Sequence, residues 1–143
     1  MAARMLIGEY QHSLDTKGRV MVPAKLRDDL GEQFILAKGL DGCLFAYSMD
    51  GWKQLDARIR ESSMVESRAI ARFLFASACP VELDKQGRIL IPQNLRDYAG
   101  LSKEVTIIGA SVRAEIWDTA KWEQSCDALT SEDIEEAMKK LGF

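Results

Sequence analysis

Two aspartate–arginine pairs are the residues best placed to do chemistry. Asp15 and Arg19 lie four apart in LDTKGRVMVP (14–23), and Asp84 and Arg88 repeat that spacing in LDKQGRILIP (83–92). A glycine separates each pair, Gly18 or Gly87, and a lysine, Lys17 or Lys85, adds a second cation. Glycine takes positive φ without penalty, so each stretch predicts a tight hairpin turn. Across such a turn the carboxylate comes close enough to accept from turn amides or from the guanidinium. Two roles fit. The pair locks the turn and does no more, since an exposed ion pair contributes little. Alternatively, Asp15 and Asp84 order the turns and aim Arg19 and Arg88 outward, beside Lys17 and Lys85. A guanidinium suits phosphate oxygens or the O6/N7 edge of guanine. Residue type and spacing leave both roles open.

The remaining side chains offer little other chemistry. There is one histidine, His12, without a ligand-spaced partner, and Cys43, Cys79 and Cys126 are odd in number, far apart and free of CxxC spacing. No metal site, disulfide framework or cofactor is expected. No P-loop, G-x-S-x-G or H-E-x-x-H occurs, and no carboxylate pair is singled out for acid–base work. The expectation is a protein that is not an enzyme and takes no small-molecule substrate. MAARMLIGEYQHS, with one early Arg, has no long apolar run, and nothing resembles a membrane span. A soluble, cytoplasmic chain without membrane contact is expected.

The net charge of −3 argues at first against a polyanionic partner. It is unevenly placed. Residues 125–143 hold Asp127, Glu132, Asp133, Glu135 and Glu136 against Lys139 and Lys140, so that tail carries the whole excess. Residues 1–124 balance 17 basic against 17 acidic side chains. A balanced body can still present a local positive face.

The elements that must position the two turns come from an internal duplication. LDTKGRVMVPAKLRD (14–28) and LDKQGRILIPQNLRD (83–97) share eight residue types in place, and the looser match beyond aligns Gly39 with Gly109, Tyr47 with Trp117 and Trp52 with Trp122. A repeat of this kind marks one supersecondary unit per copy. In each copy an alternating strand leads into the turn. A continuous apolar run, VMV or ILI, predicts a short buried strand leaving it. Pro23 and Pro92 end that strand and open short helices that stop at Gly31 and Gly100. Strands around FILAK, CLFAY, VTIIG and AEIW follow. Trp52, Leu55 and Ile59 share a helical face, and Ser63 with Glu66 reads as a capping box before Val65, Ile70, Phe73 and Leu74. Asp118 is placed to cap a helix carrying Trp122, and Thr130 with Asp133 to start a last one.

With 143 residues, 47% of them hydrophobic, the chain can build one ordinary core or two very small ones. A single hairpin is marginal alone. The predicted fold class is α+β: two pseudo-symmetric, strand-rich repeats that interleave their hairpins, with flanking helices. The boundaries are residues 8–52 for repeat 1, 53–77 for a helical connector, 78–122 for repeat 2, and 123–143 for a helical tail. Arg27 and Arg96 recur at the ends of the short helices, where solvation is the expected role. Arg68 and Arg72, four apart, face an acidic partner or water, with water favoured. Tyr47, Trp52, Trp117 and Trp122 are expected in the core.

Paired D-x-x-x-R turns, each followed by an apolar strand and proline, resemble the tandem SpoVT/AbrB-type domains of the MraZ family. GEYQHSLDTKGRVMVP and LRDYAGLSKEVTIIG…EIWD carry the resemblance most closely, and it covers nearly the whole chain. It implies a cytoplasmic, nucleoid-associated regulator that binds double-stranded DNA at short repeated sites upstream of its own gene, at the head of a division and cell-wall cluster. It also implies assembly of the chain with itself into a ring. The family motif falls on Asp15 and Arg19 and on Asp84 and Arg88. Lys17 matches a basic turn position, whereas the second copy reads Lys85 then Gln86, displacing its charge by one residue. The alternative is an antitoxin-like AbrB relative whose main partner is another protein. Two copies and a short helical tail favour the regulator.

Overall fold

The computed structural model describes residues 5–143; Arg4, the early cation of the N-terminal stretch, lies outside them. In the first copy β1 (Glu9–Ser13) enters the D-x-x-x-R turn and β2 (Arg19–Met21) leaves it. Helix α1 (Ala24–Leu30), strands β3 (Gln33–Lys38) and β4 (Leu44–Ser48), and helix α2 (Met49–Arg60) follow. Helix α3 (Met64–Ile70) then runs into a π-helical turn at Ala71–Phe75. The second copy repeats the order as β5 (Cys79–Glu82), β6 (Arg88–Leu90), α4 (Gln93–Ala99), β7 (Glu104–Gly109), β8 (Ala114–Asp118), α5 (Thr119–Ala128) and α6 (Ser131–Lys140).

The two copies exchange strands. β1 pairs antiparallel with β7, β5 with β3, and β4 with β8, giving a six-stranded sheet in the order β1-β7-β8-β4-β3-β5. β2 and β6 form a separate two-stranded ribbon in which Val20 faces Ile89. Those two residues hold the same place in the repeat, so an approximate two-fold axis passes between them. Phe45 facing Glu115 marks the axis again in the large sheet. The architecture is the α+β body of interleaved hairpins that the duplication predicts. Swapping gives each short hairpin the sheet area it lacks alone.

One core results. Val20, Val22, Leu26, Phe34 and Leu36 pack with Ile89, Ile91, Leu95, Val105 and Ile107 on one face of the large sheet. Strand alternation sends Phe45, Tyr47 and Trp117 to the other face, where Trp52, Leu55 and Trp122 cover them. Ring centroids lie 5.7 Å apart for Tyr47–Trp52 and 5.4 Å for Trp117–Trp122: Tyr47 and Trp117 are core, and Trp52 and Trp122 are half-buried against them.

Several local expectations change. The runs VMV and ILI are not buried throughout: in the ribbon only one face is covered, so Met21 is half-buried and Leu90 is 56% exposed. Pro23 and Pro92 occupy the N-cap, one position before the helix, because their extended ψ closes the strand first. Gly39 and Gly109 do not correspond, since β3 and β7 match at an offset of one more residue, Phe34 with Val105. Ser63 accepts from the Glu66 amide, which is half of a capping box, and Val65 is exposed. The Asp118 side chain caps nothing: it is buried and accepts instead from Ser102 Oγ at 2.6 Å and Ser102 N at 3.2 Å. Thr130 and Asp133 form the full reciprocal box at the start of α6.

Candidate nucleic-acid interface

Each turn is organised by its aspartate. Asp15 Oδ1 accepts from the backbone N–H of Lys17 at 2.9 Å and of Arg19 at 2.8 Å, and Oδ2 accepts from Arg19 Nε at 2.7 Å. Asp84 does the same in the second copy: Oδ1 accepts from the Gln86 and Arg88 amides and Oδ2 from Arg88 Nε, all at 2.9 Å. The position held by Lys17 and Gln86 serves through its backbone N–H. Displacing the lysine by one residue therefore leaves the second turn's geometry intact. Three donors thus hold each carboxylate, and the strand bonds from Asp15 N to Arg19 O and from Asp84 N to Arg88 O, at 2.9 and 2.8 Å, close the turns.

These donors stabilise the charged carboxylates. The Arg19 amide is the chief cause that holds Asp15 at a pKa of about 2, with the Arg19 guanidinium and the Lys17 amide adding to it. Asp84 is lowered too, first by the Arg88 amide.

Clamping through Nε holds each arginine beside its own aspartate. Among the described residues, Arg19 is bonded only through Nε and its backbone, so both Nη groups remain available. Its side chain is 34% exposed and that of Arg88 26%. Arg88 Nη1 lies 4.0 Å from Asp15 Oδ2, which brings the two turns side by side across the approximate two-fold axis. Lys17 and Lys85 are exposed at the tips and make no ion pair among the described residues. The two turns thus set four cations against two carboxylates, each of which already accepts three hydrogen bonds.

Arg27 and Arg96 correct the expectation of simple solvation. Both are half-buried. Arg27 Nε donates to Val22 O at 2.8 Å and Arg96 Nε to Ile91 O at 2.9 Å. The Arg27 guanidinium then lies against Gly87 and that of Arg96 against Gly18, where an added Cβ would collide with it. Gly18 and Gly87 have φ of 88° and 81°, and each carbonyl accepts from the other copy, Gly18 from Ile91 N at 2.9 Å and Gly87 from Val22 N at 3.0 Å. Recurrence of LRD in both copies was the available signal. Its meaning was hidden because the glycine each arginine covers belongs to the opposite repeat.

Among the described residues no group of three or more His, Cys, Asp or Glu is placed to hold a metal, and no helix is long and apolar enough to cross a membrane. Strand-swapped hairpin copies with two D-x-x-x-R turns set side by side define a tandem SpoVT/AbrB-type protein. The chain belongs to the MraZ family, whose description as antitoxin-like accompanies two tandem matches, at residues 5–73 and 74–141. It is 56% identical over 143 residues to the transcriptional regulator MraZ of Acetivibrio thermocellus, covering 97% of this chain and 100% of that one. The same coverage holds at 53% identity for the protein of that name from Caldicellulosiruptor saccharolyticus, and at 50% over 142 residues for that from Clostridium beijerinckii.

Proposed function

We propose that this chain is a sequence-specific DNA-binding transcriptional regulator and not an enzyme, acting in the cytoplasm on the nucleoid. The observation that carries this reading is the clamp: Asp15 and Asp84 hold Arg19 and Arg88 by Nε in adjacent turns, leaving both Nη groups of Arg19 unbonded among the described residues and Arg88 Nη1 at 4.0 Å from Asp15 Oδ2. An arginine fixed in this way loses little side-chain entropy on binding. Its remaining fork fits the O6/N7 edge of guanine, while Lys17 and Lys85 serve phosphates and set register. The names of the relatives support the regulatory role.

One pair of turns gives few phosphate contacts and weak, salt-sensitive binding. Assembly into a ring brings many turns to one duplex, and avidity then exceeds single-site affinity by roughly 10²–10⁴. The operator is a set of short repeated sites upstream of the chain's own gene, in a division and cell-wall cluster. Repeats 8–52 and 78–122 form the binding unit, and residues 53–77 and 123–143 serve assembly.

The test varies the spacing of the upstream repeats at constant length and sequence. Repeats moved out of phase should bind no better than a single site; equal binding of phased and unphased duplexes overturns the avidity mechanism. The family's description as antitoxin-like favours a second reading, in which the main partner is another protein. A stoichiometric second protein retained through purification from the host decides for it.

A further inference from the structure

The two copies finish their short helices differently. In the second copy Lys121 of α5 donates from Nζ to Ala99 O, on the last residue of α4, at 3.1 Å. Lys121 is the third residue after the N-cap Asp118 of α5, and Gly51 is the third after the N-cap Ser48 of α2. Leu30 ends α1 as Ala99 ends α4. The first copy therefore has the helix end but no side chain where the second places its ammonium. The following glycines differ in ψ, 174° at Gly31 and 37° at Gly100. That torsion lies beyond the last helical carbonyl and does not turn it. Last-turn carbonyls form the negative end of the helix dipole.

A groove of about 760 Å³ opens at this place, beside Leu30, Gly31 and Gly51. Small-molecule sites span roughly 300–1,000 Å³. Asp29 and Asp50 line it with carboxylates, and neither makes an ion pair among the described residues. At the matching positions the second copy has Tyr98 and Ala120, so negative charge is added where the lysine is missing. Met49 and Val112 supply an apolar wall, both exposed. Arg58, the one cation of the lining, lies two turns beyond Asp50 on α2, about 12 Å along the axis.

We propose that this groove binds a small primary aliphatic amine. Its ammonium takes the place that Lys121 Nζ holds in the second copy, against the end of α1 and the carboxylates of Asp29 and Asp50. Its methylenes lie along Met49 and Val112. Lys121 displays the chemistry within the same chain: an ammonium on a four-carbon stem, seated on a helix end. None of the residues named for the groove belongs to a D-x-x-x-R turn, so the site stands apart from the DNA-binding reading.

The test is equilibrium dialysis of the whole chain against radiolabelled 1,4-diaminobutane at physiological ionic strength. The unaltered protein should bind one diamine per chain, saturably. Gly51→Lys supplies the ammonium from the chain itself and should abolish that binding. A Cβ at position 51 lies 3.1 Å from Ser48 Oγ, so this variant requires the hydroxyl to yield slightly. A second variant, Asp29→Asn with Asp50→Asn, keeps the groove's shape and removes its charge. It should weaken binding by about threefold or more, the expected effect of losing two partly exposed carboxylates. Circular dichroism checks that each variant is folded. No saturable binding to the unaltered protein, or undiminished binding to either folded variant, overturns the site.

Discussion

The Arg27 guanidinium of the first copy lies against Gly87 of the second, and Arg96 lies against Gly18 in the same way. Each turn is thus shaped by a helix from the opposite repeat. Gly87→Ala should destabilise the protein by about 1–2 kcal/mol through its positive φ, and further by displacing Arg27. Gly42 supplies the comparison: its φ is 79°, but an added Cβ meets nothing within 4 Å. Thermal unfolding should show Gly87→Ala to be the more damaging substitution. Equal losses would mean that Arg27 does not support the turn.

The ribbon predicts a steep contrast between neighbours. Ile89 is buried on the shared core, and Leu90 is 56% exposed. Ile89→Ala should cost about 2–5 kcal/mol, and Leu90→Ala less than about 0.5 kcal/mol. Urea unfolding of the two variants measures this directly. Similar losses would contradict the observed facing of the strand.

Acid should reach the turns late. Asp15 has a folded-state pKa of about 2 against an ordinary 3.8. A depressed carboxylate pKa contributes stability that is complete above the unfolded value and disappears as pH falls through the folded one. The Asp15 carboxylate should therefore hold Arg19 through pH 4 and release it toward pH 2. The carboxyl carbon shift of Asp15, followed by NMR, should titrate well below 3.8, with Asp84 displaced in the same direction. A midpoint at the ordinary value would contradict the clamp.

Thiol reactivity should separate the three cysteines. Burial pushes the Cys43 thiol up to about 12, so its nucleophilic thiolate is scarce near neutral pH. Cys126 is exposed and Cys79 half-buried. Iodoacetamide at pH 8 should label Cys126 first and Cys43 only after denaturation. Cys43 packs with Phe45, Tyr47 and Trp117, so its prompt labelling in the native protein would show that this cluster opens readily.

The local parts of the site were legible before the fold was. Asp15, Gly18 and Arg19 interact within five residues, so spacing and glycine chemistry sufficed to predict the hairpin contact. The duplication likewise implied two equivalent units that complete each other. The contacts of Arg27 and Arg96 were not legible, because their partners lie in the other copy and depend on which strands exchange. Asp118 misled for a related reason: its N-cap position was right, but Ser102 offered its buried carboxylate a closer donor. The exposure of Leu90 followed from pairing in a thin two-stranded ribbon, which an apolar run alone does not reveal.

The most direct test of the central claim is fluorescence anisotropy at fixed moderate salt. The probes are the duplex immediately upstream of the chain's own gene and a shuffled duplex of equal length. The unaltered protein should prefer the native duplex strongly. A variant with both Arg19→Ala and Arg88→Ala should lose that preference, each lost contact being worth about 1–3 kcal/mol of discrimination, while its thermal unfolding stays cooperative. A folded double variant that keeps the native preference would show that the D-x-x-x-R turns do not read DNA.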